Sequence, residues 1–521
     1  MSTPTDPRST PDTARRLDRI AKVRPVIGME VHVELSTRSK MFTAAPSPVL
    51  TEPGGPNTLT DPVVLALPGA LPTMNRAAVE LSMLVGLALN CRIADRAVWD
   101  RKSYAYPDLP KAYQISQFDK PLCFDGSLDA PTMDDAGWVQ PGEPTARIGI
   151  VRAHLEEDAG KLLHDRHGCS TVDLNRAGTP LLEIVTAPDM HSAHEAVAFC
   201  RLLHATCRFL GATPGDMQKG HMRFEPNINC VLTLDDGLQV ATPIVEIKNL
   251  NSFRAVAGAI NHELREQPGR WAQTGEEHGP AMKSTRGWDD DKETTFLQRT
   301  KEDALDYRYF PDPDLPPVDV DDAWRDRIRA HLPELPAARL ARYRDELGLA
   351  DRDAQAIAFD RAAADLFDAA VDASVKQSVG RGEAAKLAAN LIVQTLGRIA
   401  NAREEDLNTL DATPAAIAGI IALRHAGSIS AAGAERLTEV MLGSDEEPAA
   451  VAEREGLLQV SDADELEAWA DAVIAENKAI AQQIRDGKQQ AVGRLIGAVM
   501  QKSAGRADAK TVREILLKKL S

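Results

Sequence analysis

The sequence predicts an α+β protein in which a strand-rich first part is followed by a part made of helices. Between Val26 and about Val318, short β-like runs alternate with Pro and Gly turns, and few helical stretches intervene. From about Asp321 onward, Ala, Leu, Arg, Asp and Glu recur at helical spacing. Because the strand runs cluster and do not alternate regularly with helices, the pattern is typical of α+β proteins and not of repeated βαβ units.

This pattern divides the 521 residues into four segments. Residues 1–24, rich in Ser, Thr, Pro, Asp and Arg, are predicted to be a disordered tail. A strand-rich domain over residues 25–318, a helical domain over residues 319–459 and a small helical tail domain over residues 460–521 follow. The expected helices are Arg76–Leu89, Ala193–Leu210, Ala255–Arg265, Ala354–Ala370, Ala384–Ile399, Asp464–Ile474, Gln490–Lys502 and Ala509–Leu520.

Composition and charge exclude several classes of protein. No apolar run approaches the roughly 20 residues of a membrane span, and the scattered cysteines form no C-x-x-C pair, so we expect a cytoplasmic protein that does not contact a membrane. The formal net charge of −17 argues against broad nucleic-acid binding. Any RNA contact must be local, and residues 486–521, with eight basic and three acidic side chains, fit that requirement. The alternative for this segment is an ordinary solvated helix face.

Several candidate strands carry polar side chains on one face only. Alternate residues of a strand share a face, and one such strand alone is typical of the solvated side of an antiparallel sheet. Selective use of Glu, His, Asn and Arg on four strands instead indicates a concave face suited to metals and phosphates. A fifth run, 180–185, is apolar except for Glu183. The four polar sets are Glu30, His32 and Glu34; Arg152, His154, Glu156 and Asp158; Arg223, Glu225, Asn227 and Asn229; and Glu246 and Lys248.

Glutamates that converge on such a face need cations, because their mutual repulsion raises their pKa values. Oxygen-rich ligation favours Mg²⁺, Mn²⁺ or Ca²⁺ over zinc, although His32 leaves room for a softer ion. Mg²⁺ is typical of phosphate chemistry. Arg176, Lys161 and Lys248 are candidates to hold phosphate or carboxylate groups. The carboxylates concerned are Glu30, Glu156 or Glu157, Glu183, Glu225 and Glu246.

The common nucleotide and nucleophile motifs are absent from the sequence. There is no G-x-x-x-x-G-K-[ST], no G-x-G-x-x-G after a strand and no G-x-S-x-G, which argues against a P-loop, a Rossmann site and an acyl-enzyme. Ammonia, if it is the amine donor, must therefore be generated elsewhere. The run Asp-Tyr-Arg-Tyr-Phe-Pro-Asp-Pro-Asp at 306–314 stands out in a chain with 4% aromatics. Its rings either stack on a base such as adenine or form a hydrophobic latch that ends the first domain.

Distinctive motifs extend from residue 27 to residue 503. They are IGMEVHVELST at 27–37, RKSYAYPDLPKAYQISQ at 101–117, HLEEDAGK at 154–161, DLNRAGTPLLEIV at 173–185, EIKNLNSF at 246–253, DYRYFPDPDL at 306–315 and GKQQAVGRLIGAVMQKS at 487–503. In these motifs the chain resembles the B subunits of the aspartyl/glutamyl-tRNA(Asn/Gln) amidotransferases. The resemblance extends from about residue 25 to the end.

The resemblance implies a reaction and an assembly. Such enzymes phosphorylate the side-chain carboxylate of misacylated Glu-tRNA(Gln) and/or Asp-tRNA(Asn) with ATP and Mg²⁺, and then amidate it with ammonia. Ammonia comes from the glutaminase component A, and the small component C completes the heterotrimer. The implied fold is a β-rich cradle domain of glutamine-synthetase-like fold, an all-α domain and a tRNA-binding helical tail. A non-catalytic tRNA-binding scaffold is the alternative, and an isolated amino-acid ligase is a remote third.

The resemblance also implies roles for individual residues. Strand parity favours Glu156 as a ligand and the family alignment favours Glu157. The segment 217–227 departs from the family pattern, with Gln218 in place of an acidic residue and Glu225 in place of Asp. No structural zinc is expected, because residues 41–68 contain no cysteine. The implied metal ligands are Glu30, His32, Glu157, Glu183, Glu225 and Glu246; the catalytic residues Glu30, His32, Glu156, Glu157 and Arg176; the cofactor-binding residues Lys161, Asn175, Arg176, Lys248, Tyr307 and Arg308; and the tRNA-binding residues Lys488, Arg494, Lys502 and Arg506.

Overall fold

The computed structural model describes residues 11–164, 168–279, 282–300, 307–460, 463–486, 489–503 and 506–520. Its internal contacts divide the chain into two compact units, Met1–Leu335 and Pro336–Ser521. The first unit contains a large sheet with helices, and the second consists largely of helices. The predicted α+β class is confirmed.

The strands of the first unit form one large sheet and three small ones. In the large sheet the order is β15-β14-β13-β11-β1-β10-β7-β6-β2, with β12 beside β11, and only β13 and β14 of the neighbouring pairs in this order run parallel. A three-stranded sheet has the order β16-β4-β5. The strands are β1 Ile20–Glu34, β2 Arg92–Ile93, β3 Arg96–Ala97, β4 Asp100–Ser103, β5 Tyr113–Ser116, β6 Cys123–Pro131, β7 Thr145–Glu157, β8 Lys161–His164, β9 Ser170–Asp173, β10 Pro180–Thr186, β11 Met222–Leu234, β12 Gln239–Ala241, β13 Val245–Lys248, β14 Ser284–Asp289, β15 Thr294–Thr300, β16 Phe310–Pro311 and β17 Val318–Asp319.

Helices cover the apolar face of the large sheet. Met29, Val31 and Val33 of β1 are at most 1% exposed, and Phe224 of β11 pairs with Val31 and lies in ring contact with Phe253 of α4. The alternation in β1 therefore buries one set of side chains beneath helices and leaves Glu30 and His32 on the other side. The helices of this unit are α1 Pro11–Asp18, α2 Arg76–Ala88, α3 Ala193–Phe209, α4 Phe253–Thr274 and α5 Asp322–Ala330.

Helix α4 is longer than predicted, because the predicted helix ended before Pro268. The helix continues through this proline and ends at Gly275, whose φ of 73° suits a glycine cap. Trp271 and Ala272 of its last turns pack with Cys230 and other residues of β11 and β12 in one hydrophobic cluster. This tertiary packing outweighs the hydrogen bond that proline removes.

Two predicted boundaries of the first domain need correction. The predicted disordered tail is wrong for residues 11–24, which form α1 and the start of β1; Arg19 pairs with Asp235 and Asp236 and ties this segment to the β11–β12 turn. Residues 1–10 lie outside the described residues. The first unit also ends after Leu335 and not at 318, because α5 packs on α2, where Trp324 donates a hydrogen bond to Glu80.

The second unit joins the predicted helical and tail domains in one compact unit. Two predicted long helices are broken: 354–370 is divided at Asp360, whose side chain caps the following helix, and 384–399 includes a π-helix. A separate core formed by residues 466–520 lies within this unit. Its helices are α6 Pro336–Asp345, α7 Asp351–Ala358, α8 Arg361–Lys376, α9 Arg381–Ala389, the π-helix Asn390–Leu396, α10 Gly397–Arg403, α11 Pro414–His425, α12 Ala431–Val440, α13 Pro448–Arg454, α14 Ala463–Glu476, α15 Lys478–Arg485, α16 Val492–Lys502 and α17 Ala509–Leu520, with 3₁₀ turns at Leu407–Thr409 and Gln489–Ala491.

Candidate active site

The central strands of the large sheet align polar side chains in rows. Strands β7, β10, β1 and β11 are consecutive neighbours, and their register pairs His154 with Glu183, Glu183 with His32, and His32 with Arg223. Partners in antiparallel register lie on the same face of a sheet. In the adjacent row Glu30 pairs with Glu225. Local alternation on four strands thus places these side chains on one surface.

Two groups of potential metal ligands meet at Glu183. One is formed by Glu30, His32 and Glu183 and the other by His154, Glu156 and Glu183, and within each group the ligand atoms lie within 4.8 Å of one another. The His32 Nε2 atom is 3.4 Å from Glu183 Oε2 and 3.7 Å from Glu156 Oε1. The His154 Nε2 atom is 3.8 Å from Glu183 Oε2. The arrangement brings three carboxylates and two imidazoles to one point.

Burial makes this concentration of acids electrostatically costly. Burial and the nearby Glu183 raise the pKa of Glu30, and the same two causes raise the pKa of Glu156 to about 7. Burial lowers the pKa of His154 to about 4, so its imidazole is neutral at neutral pH. Burial opposes protonation of His32, but its hydrogen bond to Glu183 and the charge of Glu225 raise its pKa to about 9. The protonated forms of Glu30 and Glu156 are therefore favoured, and a cation beside these two carboxyl groups would lower their pKa values.

Basic side chains surround the acidic centre. Lys248 Nζ is 2.5 Å from Glu225 Oε2 and 3.1 Å from Glu246 Oε1. Lys283 Nζ is 3.4 Å from the other oxygen of Glu246. Burial opposes the charge of Lys102, but the carboxylates of Glu156 and Glu183 outweigh burial and raise its pKa. These cations partly compensate the outer carboxylates.

A cavity of about 420 Å³ lies over the polar face. The three-stranded sheet closes one end of it, where Ser116 Oγ donates to Glu156 Oε2 at 3.3 Å. Tyr309 stacks on Phe118 with ring centroids 4.3 Å apart, and Lys102 Nζ is 5.1 Å from the ring centre of Tyr307. The wall therefore combines aromatic rings with charged groups, as expected for a ligand with a planar part and an anionic part.

Sequence comparisons assign the chain to a family. A profile of the GatB/GatE catalytic domain matches residues 25–326, and a profile of the GatB domain matches residues 373–520. The aspartyl/glutamyl-tRNA(Asn/Gln) amidotransferase B subunit of Anaeromyxobacter sp. (strain Fw109-5) is 42% identical over 96% of this chain and 99% of the relative. The chain belongs to this B-subunit family. Members from Halorhodospira halophila and Herminiimonas arsenicoxydans are each 43% identical, over 96% and 95% of this chain and 99% of each relative.

Within this member of the B-subunit family, Glu157 does not join the acidic cluster. It follows Glu156 in β7 and so points to the other side of the strand. Its Oε1 atom accepts a hydrogen bond from the Ile115 backbone nitrogen and forms an ion pair with Lys111. Of the two glutamates between which the sequence left the choice open, Glu156 lies in the acidic cluster and Glu157 lies outside it. The predicted ligand role of Glu157 does not agree with this geometry, and a ligand role for Glu156 stays a prediction.

Three residues predicted to bind cofactor have structural contacts outside the cavity wall. The Asn175 side chain donates to Gly55 O at 2.7 Å and accepts from Leu59 N at 2.8 Å. Arg176 donates to the carbonyl oxygens of Ala159 and Gly160, and Lys161 is an exposed residue at the start of β8. Asn175 therefore holds the 55–59 loop, Arg176 holds the loop after β7, and none of the three residues is part of the lining of the cavity.

The remaining predicted residues are divided between the cavity and the second unit. Lys248 forms the ion pairs with Glu225 and Glu246 described above. Tyr307 lines the cavity, whereas Arg308, with a φ of 45°, is not among the lining residues. Strand pairing and an ion pair tie the aromatic run to β4: Phe310–Pro311 pairs with β4, and Arg101 bonds to Asp312 at 2.7 Å. Phe310 itself is 45% exposed, so a hydrophobic latch stays a prediction. Asp306 lies outside the described residues. Stacking on a base stays a prediction.

The predicted tRNA contacts lie in the second unit. Lys502 pairs with Glu476, and the Arg506 guanidinium lies 5.6 Å from the centre of the Trp469 ring. Arg494 is exposed on α16. Lys488 lies outside the described residues. Two of the four side chains are therefore engaged within the protein, and Arg494 is exposed in the described part of the tail.

Several cavity residues were given no individual role from the sequence. His154 was placed on the polar face but not among the ligands, although it has the same parity as Glu156 in β7. Lys102, Arg299 and Tyr309 line the cavity from β4, from the edge strand β15 and from the segment before β16. Their positions depend on how separate sheets pack, which local alternation does not encode.

Proposed function

We propose that this chain activates the carboxylate in a glutamine-dependent, tRNA-dependent amidotransferase. The reaction converts Glu-tRNA(Gln) and/or Asp-tRNA(Asn) to the amidated forms through an acyl phosphate made from ATP. The observation that carries the proposal is the convergence of Glu30, Glu156 and Glu183 with two imidazoles on one buried face. Family membership supplies the substrate class, since the relatives are named for these tRNAs.

The residues fit a resident Mg²⁺ ion. Glu30, His32 and Glu183 would hold it, and His154 and Glu156 extend the ligand set around Glu183. Two observations support the fit: the pKa values of Glu30 and Glu156 are raised, and the buried His32 Nδ1 atom has no hydrogen-bond partner among the described residues. When bound, Mg²⁺ neutralises charge on phosphoryl oxygens.

The surrounding cations would orient the anionic substrates. Lys102 lies beside the acidic centre, and Arg299 and Lys283 lie at the cavity wall. Ammonium and guanidinium groups of this kind hold phosphate and carboxylate oxygens through charge-assisted hydrogen bonds. Tyr307 and Tyr309 would exclude water from the reacting groups, which limits hydrolysis of an acyl phosphate. Since the sequence contains no G-x-S-x-G nucleophile motif, ammonia would come from a companion protein.

The wider assembly follows from the same proposal. The glutaminase component A and the small component C would complete a cytoplasmic heterotrimer, and the tail would bind tRNA through Arg494, Arg506 and their neighbours. The large antiparallel sheet with an acidic polar face supports the expected cradle of glutamine-synthetase-like fold. None of the helices in the described ranges is long and apolar enough to cross a membrane.

A substitution at Glu183 tests the catalytic role against the scaffold alternative. Glu183→Gln keeps the size of the side chain, removes the charge shared by both ligand groups, and should lower amidation by about 100-fold or more in the assembled enzyme. Glu30→Gln should behave similarly. Calorimetry should show weaker Mg²⁺ binding while tRNA affinity is unchanged. Glu266→Gln, an exposed glutamate of α4, is the matched control.

Unchanged turnover in Glu183→Gln and Glu30→Gln, together with tRNA binding, would support the scaffold and refute the enzyme. Wild-type chain with both companions, ATP and glutamine must amidate Glu-tRNA(Gln) or Asp-tRNA(Asn). Failure on both substrates would overturn the proposed function.

A further inference from the structure

A loop between β1 and α2 exposes leucines and carries no charge over fourteen residues. We name residues 61–75 the leucine loop; Asp61 begins it, and residues 62–75 contain no Asp, Glu, Lys or Arg. Charged residues make up 26% of the whole chain, so a stretch of fourteen residues would be expected to contain about four of them. Leu65, Leu67 and Leu71 are 40%, 49% and 64% exposed.

The leucine loop is ordered by its own hydrogen bonds. The Asp61 carboxylate accepts from the backbone nitrogens of Val63 and Val64 at 3.0 and 2.9 Å. The Leu67 nitrogen donates to Pro62 O at 2.9 Å. Val64 is buried and packs with Ala45 and Ala177. The exposed leucines are therefore held in place by a fixed backbone, so docking requires little further loss of loop entropy.

The loop is also tied to the strands of the active site. The Thr73 nitrogen donates to Phe42 O, and the Met41 nitrogen donates to Gly178 O, both at 2.8 Å. Gly178 in turn donates to Asp158 O at 2.9 Å, at the end of β7. A molecule bound to the leucine loop is thus connected by a short series of backbone hydrogen bonds to the strand that carries Glu156.

Single exposed leucines are ordinary on protein surfaces, but three within seven residues of an ordered, uncharged loop indicate a contact surface. RNA is a poor occupant, because a polyanion needs Lys or Arg, and the loop has neither. An anionic membrane is disfavoured by the net charge of −17. A second copy is disfavoured because the relatives are named as B subunits, which implies partners of different sequence.

We propose that the leucine loop is the docking surface for a companion protein of the assembly that presents an uncharged, apolar patch. The inference rests on the proposed function, in which the chain works with companion proteins. Apolar side chains at the centre of an interface contribute most of its affinity, while charges there are depleted. Leu67 and Leu71 are the residues expected to be buried in the assembly.

The test measures assembly of the full chain with its purified companion proteins. Leu67→Glu/Leu71→Glu introduces two charges into the patch and should weaken association at least about tenfold, measured by sedimentation or calorimetry. Leu238→Glu, at a leucine 57% exposed in the β11–β12 turn, is the matched control and should bind like the wild type. The milder Leu67→Ser/Leu71→Ser variant and thermal unfolding of each variant separate docking from misfolding.

Association within about twofold of wild type in both double variants overturns the inference. The inference is also overturned if Leu238→Glu weakens association as much as the loop variants do, or if the wild-type chain associates with a second copy of itself through this loop. If the wild-type chain assembles and amidates while the loop variants assemble equally well, only the docking inference fails. If the wild-type chain neither assembles nor amidates, the proposed function fails as well.

Discussion

Replacement of Arg223 by Met should destabilise the first unit by about 2–4 kcal/mol. Arg223 Nη2 is 2.5 Å from Asp158 Oδ2, and the Asp158 side chain is only 7% exposed. Removal of one partner from a buried pair costs about 3–5 kcal/mol, because the other charge stays buried without compensation. Arg176 Nε lies 3.6 Å from the same oxygen and retains part of the compensation, which lowers the expected cost.

The assay is equilibrium unfolding in urea with EDTA present, followed by tryptophan fluorescence. Five of the six tryptophans lie in the first unit, so the signal reports mainly on that unit. Arg223→Met/Asp158→Asn should be less destabilised than the two single variants predict by addition. Arg19→Met is the control, since its pair with Asp235 is exposed and contributes about 0–1 kcal/mol. A cost for Arg223→Met no larger than for this control would refute the argument.

Three further predictions concern other parts of the chain. Burial lowers the pKa of Lys40 to about 8 against an ordinary value of 10.5, so between these pH values the unfolded state binds more protons and stability should rise with pH. Below about pH 8 Lys40 is protonated in both states, and the full cost of burying its charge applies; Asp61, Asp173 and Glu157 favour its protonation but do not outweigh burial. Lys40→Met should therefore remove the rise in denaturation midpoint that the wild type shows from about pH 7.5 to 9.5. Midpoints that rise in parallel for the two proteins would contradict this prediction. Phe367→Ala should lower the unfolding free energy of the second unit by about 3–5 kcal/mol, because this fully buried ring packs edge-on against Tyr343. Unfolding followed by circular dichroism measures this loss, and a loss below about 1 kcal/mol would be inconsistent with that packing. Arg494→Ala should reduce the slope of the logarithm of the tRNA-binding constant against the logarithm of salt concentration by about one. Lys519→Ala should change this slope little, because Asp471 and Glu467 already pair with Lys519. Equal slopes for the two variants would count against the tail as the tRNA contact.

Strand alternation was enough to predict which side chains share the polar face of the sheet. Glu30 and His32 were assigned to one face from parity alone, and the register with Glu183 confirms that face. Parity also favoured Glu156 over Glu157, and the hydrogen bonds of Glu157 agree with it. This part is local, because the side-chain direction in a strand depends only on position along the chain.

Positions that depend on tertiary packing were not predicted from the sequence. Lys102 lies on a four-residue strand of a separate sheet, and nothing in its neighbours along the sequence indicates where that sheet packs. The N-terminal segment looked disordered by composition, yet Arg19 finds two acidic partners in a distant turn. The helix predicted at 354–370 is divided because the Asp360 carboxylate accepts a hydrogen bond from the Ala363 nitrogen.

The central position of β1 determines when the polar face can form during synthesis. β1 leaves the ribosome early, but its neighbours β10 and β11 are made about 150 and 190 residues later. Until then its two long edges and its apolar face have no partner, which exposes a nascent chain to aggregation. Contacts of such long range also slow folding. The ligand residues therefore come together late, and a chain that stops before β11 contains Glu30 and Glu183 but lacks one side of the site.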